Sequence, residues 1–171
     1  MGVKLKYIVD ELNFEIIHAS SDYREIEIKN SDINRPGLQL CGYYSKFVKD
    51  RIQLIGTQEW HYINSLNDED KFTTLEKLFK YNIPVVVFSR NNMIFPQAEF
   101  LAEKYDVTII RSPDTTSKIF SKIISLVDEA LAPTTRMHGV LLDISGIGVL
   151  ITGRSGIGKS ETALDLISNG A

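Results

Sequence analysis

Apolar residues Leu5, Ile8, Val9 and Leu12 fall at helical spacing and predict a short amphipathic helix near the start of the chain. Residues 14–18 and 25–29 read as strands, the second with Ile26 and Ile28 alternating with charged neighbours. Asn34-Arg35-Pro36-Gly37 has the composition of a turn. The pattern then predicts a strand over 51–56 and helices over 58–66 and 68–81. Residues 83–88, Ile-Pro-Val-Val-Val-Phe, make a continuous apolar run of the kind found in strands buried on both faces. A helix over 95–105 and a second buried strand over 107–110 follow, and Asp114 is expected to cap a helix reaching Leu131. Ile119, Phe120, Ile123, Ile124, Val127 and Leu131 give that helix a wide apolar face. Strands alternating with helices place the fold in the α/β class, layered on a sheet that is mostly parallel in its later half.

Pro133 cannot continue the long helix, and the texture changes after it. Residues 137–144 read as a strand, Ser145-Gly146 as a turn and 147–152 as a second strand. The expected organisation is therefore an N-terminal layered α/β domain over 1–132 and a different segment over 133–171. Beyond Ala132 the charges cancel, Arg136, Arg154 and Lys159 against Asp143, Glu161 and Asp165, so the net −3 belongs to the first 132 residues. That balance argues against broad binding to nucleic acid or anionic lipid, which needs clustered Lys and Arg. With 43% hydrophobic and 24% charged residues the composition is that of a folded domain. Cys41 stands alone and no signal pattern opens the chain, so a reducing cytoplasm is the expected compartment. Lys6 occupies the position where an N-myristoylation motif needs Ser or Thr, and no apolar run approaches the roughly 18 residues of a membrane span.

The chemistry is concentrated near the end of the chain. Gly153-Arg154-Ser155-Gly156-Ile157-Gly158-Lys159-Ser160 fits the phosphate-loop pattern G-x-x-x-x-G-K-[ST]. Its glycines allow left-handed backbone angles, so that successive N–H groups of Gly153, Arg154, Ser155, Gly156, Ile157 and Gly158 can turn inward as an anion nest. The helix expected from about Lys159 adds its positive end at the same place. Lys159 supplies a mobile charge for the β- and γ-phosphates, and the Ser160 hydroxyl is placed to bind Mg²⁺. An apolar strand containing Val149, Leu150 and Ile151 precedes the loop, and a stripe of Ala163, Leu164 and Ile167 follows it. His138, at the start of a strand, fits either an edge residue or a catalytic one. His18 and His61 lack partners at metal-ligand spacing, so no zinc site is argued. Asp68-Glu69-Asp70 charges a helix N-terminus, and Trp60, Tyr62, Tyr43 and Tyr44 read as core or interface aromatics.

As a set these residues resemble the HPr kinase/phosphorylase family. The resemblance is carried by 137–143 (Met-His-Gly-Val-Leu-Leu-Asp), 146–153 (Gly-Ile-Gly-Val-Leu-Ile-Thr-Gly) and 155–164 (Ser-Gly-Ile-Gly-Lys-Ser-Glu-Thr-Ala-Leu). In the first domain it is carried by Asn34-Arg35-Pro36-Gly37-Leu38 with Gly42-Tyr43, and by 50–56 (Asp-Arg-Ile-Gln-Leu-Ile-Gly). It implies transfer of a phosphoryl group from ATP or pyrophosphate to a serine of the phosphocarrier protein HPr, and its removal by inorganic phosphate. By the resemblance, 153–160 is the nucleotide loop, Lys159 and His138 are catalytic-site residues and Ser160 is a Mg²⁺ ligand. It also implies a cytoplasmic homohexamer acting in carbon catabolite repression, with an N-terminal domain similar to a substrate-binding domain of the murein ligases. The family's general base, an aspartate pair beyond the loop helix, is not in the sequence, so the chain is expected to be a truncated, inactive portion. Two other readings stay open: a non-catalytic regulatory or oligomerisation module, and a generic phosphate-loop ATPase or small-molecule kinase.

Overall fold

The computed structural model describes residues 2–168, and the chain separates into two compact units, 1–132 and 133–171. In the first, β1 (Val3–Lys4) runs into α1 (Leu5–Glu11), which buries Leu5, Ile8 and Val9. There follow β2 (Glu15–His18), β3 (Glu27–Ile28), β4 (Ile33–Asn34), α2 (Gly37–Leu40), β5 (Ile52–Ile55), α3 (Thr57–Ser65) and α4 (Asp68–Phe79). The unit continues with β6 (Val85–Phe88), α5 (Pro96–Tyr105), β7 (Thr108–Arg111) and α6 (Thr116–Leu131). The main sheet has the order β2-β7-β6-β5-β4. Strands β4 to β7 are parallel, and β2 pairs antiparallel with β7. A separate small pairing joins β1 to β3.

The alternation of side chains along a strand explains why the central runs are apolar throughout. Val86 and Phe88 face α2 to α5, where Ile63, Leu75, Leu78, Phe79, Leu101 and Ala102 close one core. Val85 and Val87 face the other way, where Ile8, Val9, Ile119, Ile123 and Val127 of α1 and α6 close a second. Both faces of β6 are fully covered. The architecture is thus α/β, three layers deep, with a mostly parallel sheet.

Several details depart from the sequence expectations. Asn34-Arg35-Pro36-Gly37 is not a simple turn: Leu40 N donates to Pro36 O at 2.9 Å and Cys41 N to Gly37 O at 3.2 Å, making the short helix α2. Proline's fixed φ suits a helix start, and its missing N–H is no loss there. The cap of α6 is Thr115, whose hydroxyl accepts from Lys118 N, whereas the Asp114 carboxylate accepts from Lys122 Nζ at 2.5 Å. That hydrogen bond holds the Asp114 carboxyl below the usual range. On α6, Ile119, Ile123 and Val127 are buried while Ile124 is exposed, so the apolar face is narrower than the sequence suggests. Of 25–29 only Glu27–Ile28 is strand.

The second unit consists of β8 (Gly139–Ile144), β9 (Ile147–Thr152) and α7 (Lys159–Ser168). β8 and β9 form an antiparallel hairpin around Ser145 and Gly146, both at positive φ, and Gly146 N donates to Asp143 Oδ1 at 2.8 Å. Such a two-residue turn matches the twist of the strands it joins. The expected stripe on α7 is split: Ala163 is buried, whereas Leu164 and Ile167 are 63% and 58% exposed. The helix stop read at Asn169-Gly170 lies outside the described residues.

Candidate functional site

The hairpin register builds the site from the bottom. Val140 pairs with Ile151 and Gly139 with Thr152, so the residues just before Gly139 and just after Thr152 flank the same end of the hairpin. His138 precedes Gly139, and Gly153 opens the phosphate loop. The register therefore brings His138 and the loop to one end of the hairpin, and sends Asp143, paired with Gly148, to the other. His138 is exposed, and no hydrogen bond joins it to the loop among the described residues.

Between β9 and α7 the backbone takes positive φ at Gly156 (80°) and Gly158 (93°). A Cβ at Gly156 would meet nothing within 4 Å, so the conformation, not the space, demands glycine there. Lys159, the first residue of α7, folds its side chain back over the loop, and its ammonium donates to Gly153 O at 2.9 Å and Arg154 O at 2.7 Å. This clasp ties the start of the loop to the start of the helix. Thr162 adds a second tie, its N–H and hydroxyl both reaching Gly158 O, at 2.9 and 3.0 Å. Ser160 lies exposed in the first turn of α7, and its hydroxyl makes no hydrogen bond among the described residues.

What results is a solvent-open loop of backbone N–H groups at a helix N-terminus, with one ammonium fixed across it. Such an arrangement is suited to a phosphate group. By contrast, a cleft of about 450 Å³ in the first unit is bordered by Asp22, Glu27, Asp50 and Asp106, with Lys29 the single cation among them. Its charge is of the wrong sign for phosphate.

Residues 3–127 match the family model described as HPr Serine kinase N terminus, and residues 129–171 the model described as HPr Serine kinase C-terminal domain. The chain belongs to the HPr serine kinase family. It is 44% identical over 172 residues to the HPr kinase/phosphorylase of Clostridium tetani, covering 99% of this chain and 55% of that protein. The HPr kinase/phosphorylases of Streptococcus gordonii and Lactococcus lactis subsp. lactis are 42% and 40% identical, again over 99% of this chain and 55% of each relative. The chain thus spans about half the length of the curated relatives it matches. Among solved structures it is similar to the CBS and DRTGG domains of the regulatory region of Clostridium perfringens pyrophosphatase, determined in complex with the activator diadenosine tetraphosphate. That likeness has a TM-score of 0.50 at 13% identity, covers 72% of this chain and 47% of the other, and concerns the fold alone.

Within this chain, the register sets which residues lie next to the loop. In the sequence alone, Arg154 is one position of the loop pattern. A two-residue turn fixes the register, so the pairing of Gly139 with Thr152 can be counted from the sequence once the turn is recognised.

Proposed function

We propose that this chain carries the nucleotide loop of an HPr kinase/phosphorylase, a cytoplasmic homohexamer that phosphorylates a serine of the phosphocarrier protein HPr. ATP or pyrophosphate is the donor, inorganic phosphate removes the group again, and the reaction serves carbon catabolite repression. Residues 1–132 act as a separate N-terminal domain, and 133–171 belong to the kinase domain. The observation that carries this reading is the loop clasped by Lys159 between an apolar strand and a helix N-terminus, in a chain of the HPr serine kinase family.

In this reading the N–H groups of 153–158 and the positive end of α7 hold the donor phosphates, and Lys159 offsets the charge that develops on the transferring phosphoryl group. The unengaged hydroxyl of Ser160 fits a Mg²⁺ ligand. Mg²⁺, when bound, neutralises charge on the phosphate oxygens. His138, at the loop end of the hairpin, stands beside the transferred group.

Both directions use the same phosphoryl group, so Lys159→Ala in the full-length protein should lower kinase and phosphorylase rates together, each by about 10²-fold or more. Survival of either rate near wild type would refute a shared site. His138→Ala should lower turnover while leaving the melting temperature unchanged; a lowered melting temperature with normal specific activity would assign His138 a structural role.

A further inference from the structure

The Lys159 ammonium has three N–H donors, and two are taken by Gly153 O and Arg154 O. One donor is left for a ligand. The motif prescribes no residue type at 154, 155 or 157, and in this chain one of those positions, Arg154, holds a second cation. The guanidinium of Arg154 is exposed and meets no hydrogen-bond or ion-pair partner among the described residues. Its backbone is held by the Lys159 clasp at 2.7 Å, so this long side chain springs from a fixed point at the mouth of the loop. The hairpin register removes Asp143 to the far turn, where Gly146 N engages its carboxylate. Glu161, in the first turn of α7, is the acidic residue nearest in sequence to the loop.

We propose that Arg154 is a second phosphate-binding group of the loop, holding the phosphate that lies outside the backbone nest. This deepens the kinase/phosphorylase reading and rests on it. A ligand with two linked phosphates then meets the nest and Lys159 with one group and the Arg154 fork with the other. A single phosphate meets the nest alone. Arginine suits the role because its planar fork matches two phosphate oxygens at once, which an ammonium cannot do. Arg154 therefore sets the preference of the loop for diphosphate over monophosphate ligands.

The test is phosphorus NMR titration of the full-length protein with inorganic phosphate and with pyrophosphate, in wild type, Arg154→Ala, Arg154→Lys and Lys159→Ala. Wild type should favour pyrophosphate, and Arg154→Ala should remove about tenfold of that preference, the value of one charge-assisted pair. Affinity for single phosphate should change little. Arg154→Lys should restore part of the preference, as a point charge without the fork. Lys159→Ala should weaken both ligands. An unchanged pyrophosphate-to-phosphate ratio in Arg154→Ala, with both ligands weakened by Lys159→Ala, overturns the role of Arg154 and leaves the loop reading standing. If Lys159→Ala weakens neither ligand, the loop reading fails and this inference fails with it.

Discussion

Gly56 stands where α3 and α6 begin next to each other, and no side chain fits there. A Cβ at this position would lie 2.9 Å from Thr116 Oγ1, 3.0 Å from Glu59 Oε2 and 3.2 Å from Arg35 Nη2. The neighbours are fixed by their own bonds: Glu59 is buried, accepts from Gly56 N at 3.0 Å and pairs with Arg35 at 2.8 Å. Gly56→Ala must displace that pair, and should cost about 1–3 kcal/mol in urea denaturation. A loss below about 0.5 kcal/mol would mean that the cluster yields freely. Tyr44 presents the opposite case. Its ring stacks on Tyr81 at 4.8 Å, but its buried hydroxyl has no hydrogen-bond partner among the described residues, and burial pushes its pKa up to about 12. Removing a polar atom that bonds to nothing loses no interaction. Tyr44→Phe should leave stability unchanged or raise it by up to about 1 kcal/mol; clear destabilisation in the same denaturation assay would show that the hydroxyl has a partner in solution.

Three hydrogen bonds converge on one carboxylate where α4 meets α5. Glu76 of α4 accepts from Lys80 at 3.0 Å, and from Lys104 and Tyr105 of α5 at 2.8 Å each. The hydrogen bond from Lys104, then those from Tyr105 and Lys80, hold the Glu76 carboxyl at about 2, down from 4.5. A carboxyl depressed in the folded state adds stability that is fully present above its unfolded value and lost as pH falls through the folded one. The stability difference between wild type and Glu76→Gln should therefore be steady above about pH 5 and shrink between about pH 4.5 and 2. A difference independent of pH across that window would remove the linkage. Lys80 and Lys104 sit four and twenty-eight residues away, and only the first spacing can be read along one helix. The same divide runs through the whole fold. The apolar runs of β6 and β7, the amphipathic α1 and the Ser145-Gly146 hairpin were legible because period and turn chemistry are local. Strands β1 and β4, two residues each, carry no period, and only their pairing partners define them. Thr115 and Asp114 are both plausible caps by residue type, and the choice depends on Lys122, eight residues on, drawing Asp114 away. At the site, the phosphate motif was legible in full, while the clasp of Lys159 on two loop carbonyls depends on a rotamer that sequence does not encode.

Apolar burial is divided unequally along the whole chain. Beyond Ala132, only Leu142 and Ala163 count as buried apolar residues among those described, whereas the first unit closes a core on each face of its sheet. In the second unit Leu141 and Leu150 face each other across the hairpin and remain 71% and 45% exposed. A two-stranded hairpin and one helix of ten residues bury too little to offset the entropy of ordering them. Residues 1–132 should therefore fold alone, with a free energy of unfolding within about 0.5 kcal/mol of the 171-residue chain, the scatter expected for independent parts. Hydrogen exchange should divide in the same way, since amides open locally where burial is thin. Val86, Val87, Ile109 and Ile110 should exchange only on global unfolding, and Val149 and Ile151 should exchange orders of magnitude faster. Adding pyrophosphate should slow exchange at Gly156 and Gly158 first, because a ligand stabilises the segment that must be ordered to hold it. Protection of Val149 and Ile151 equal to that of Val86 would show that the second unit is stable as it stands, and a loss of more than about 1 kcal/mol on cutting after Ala132 would show that the first unit depends on it.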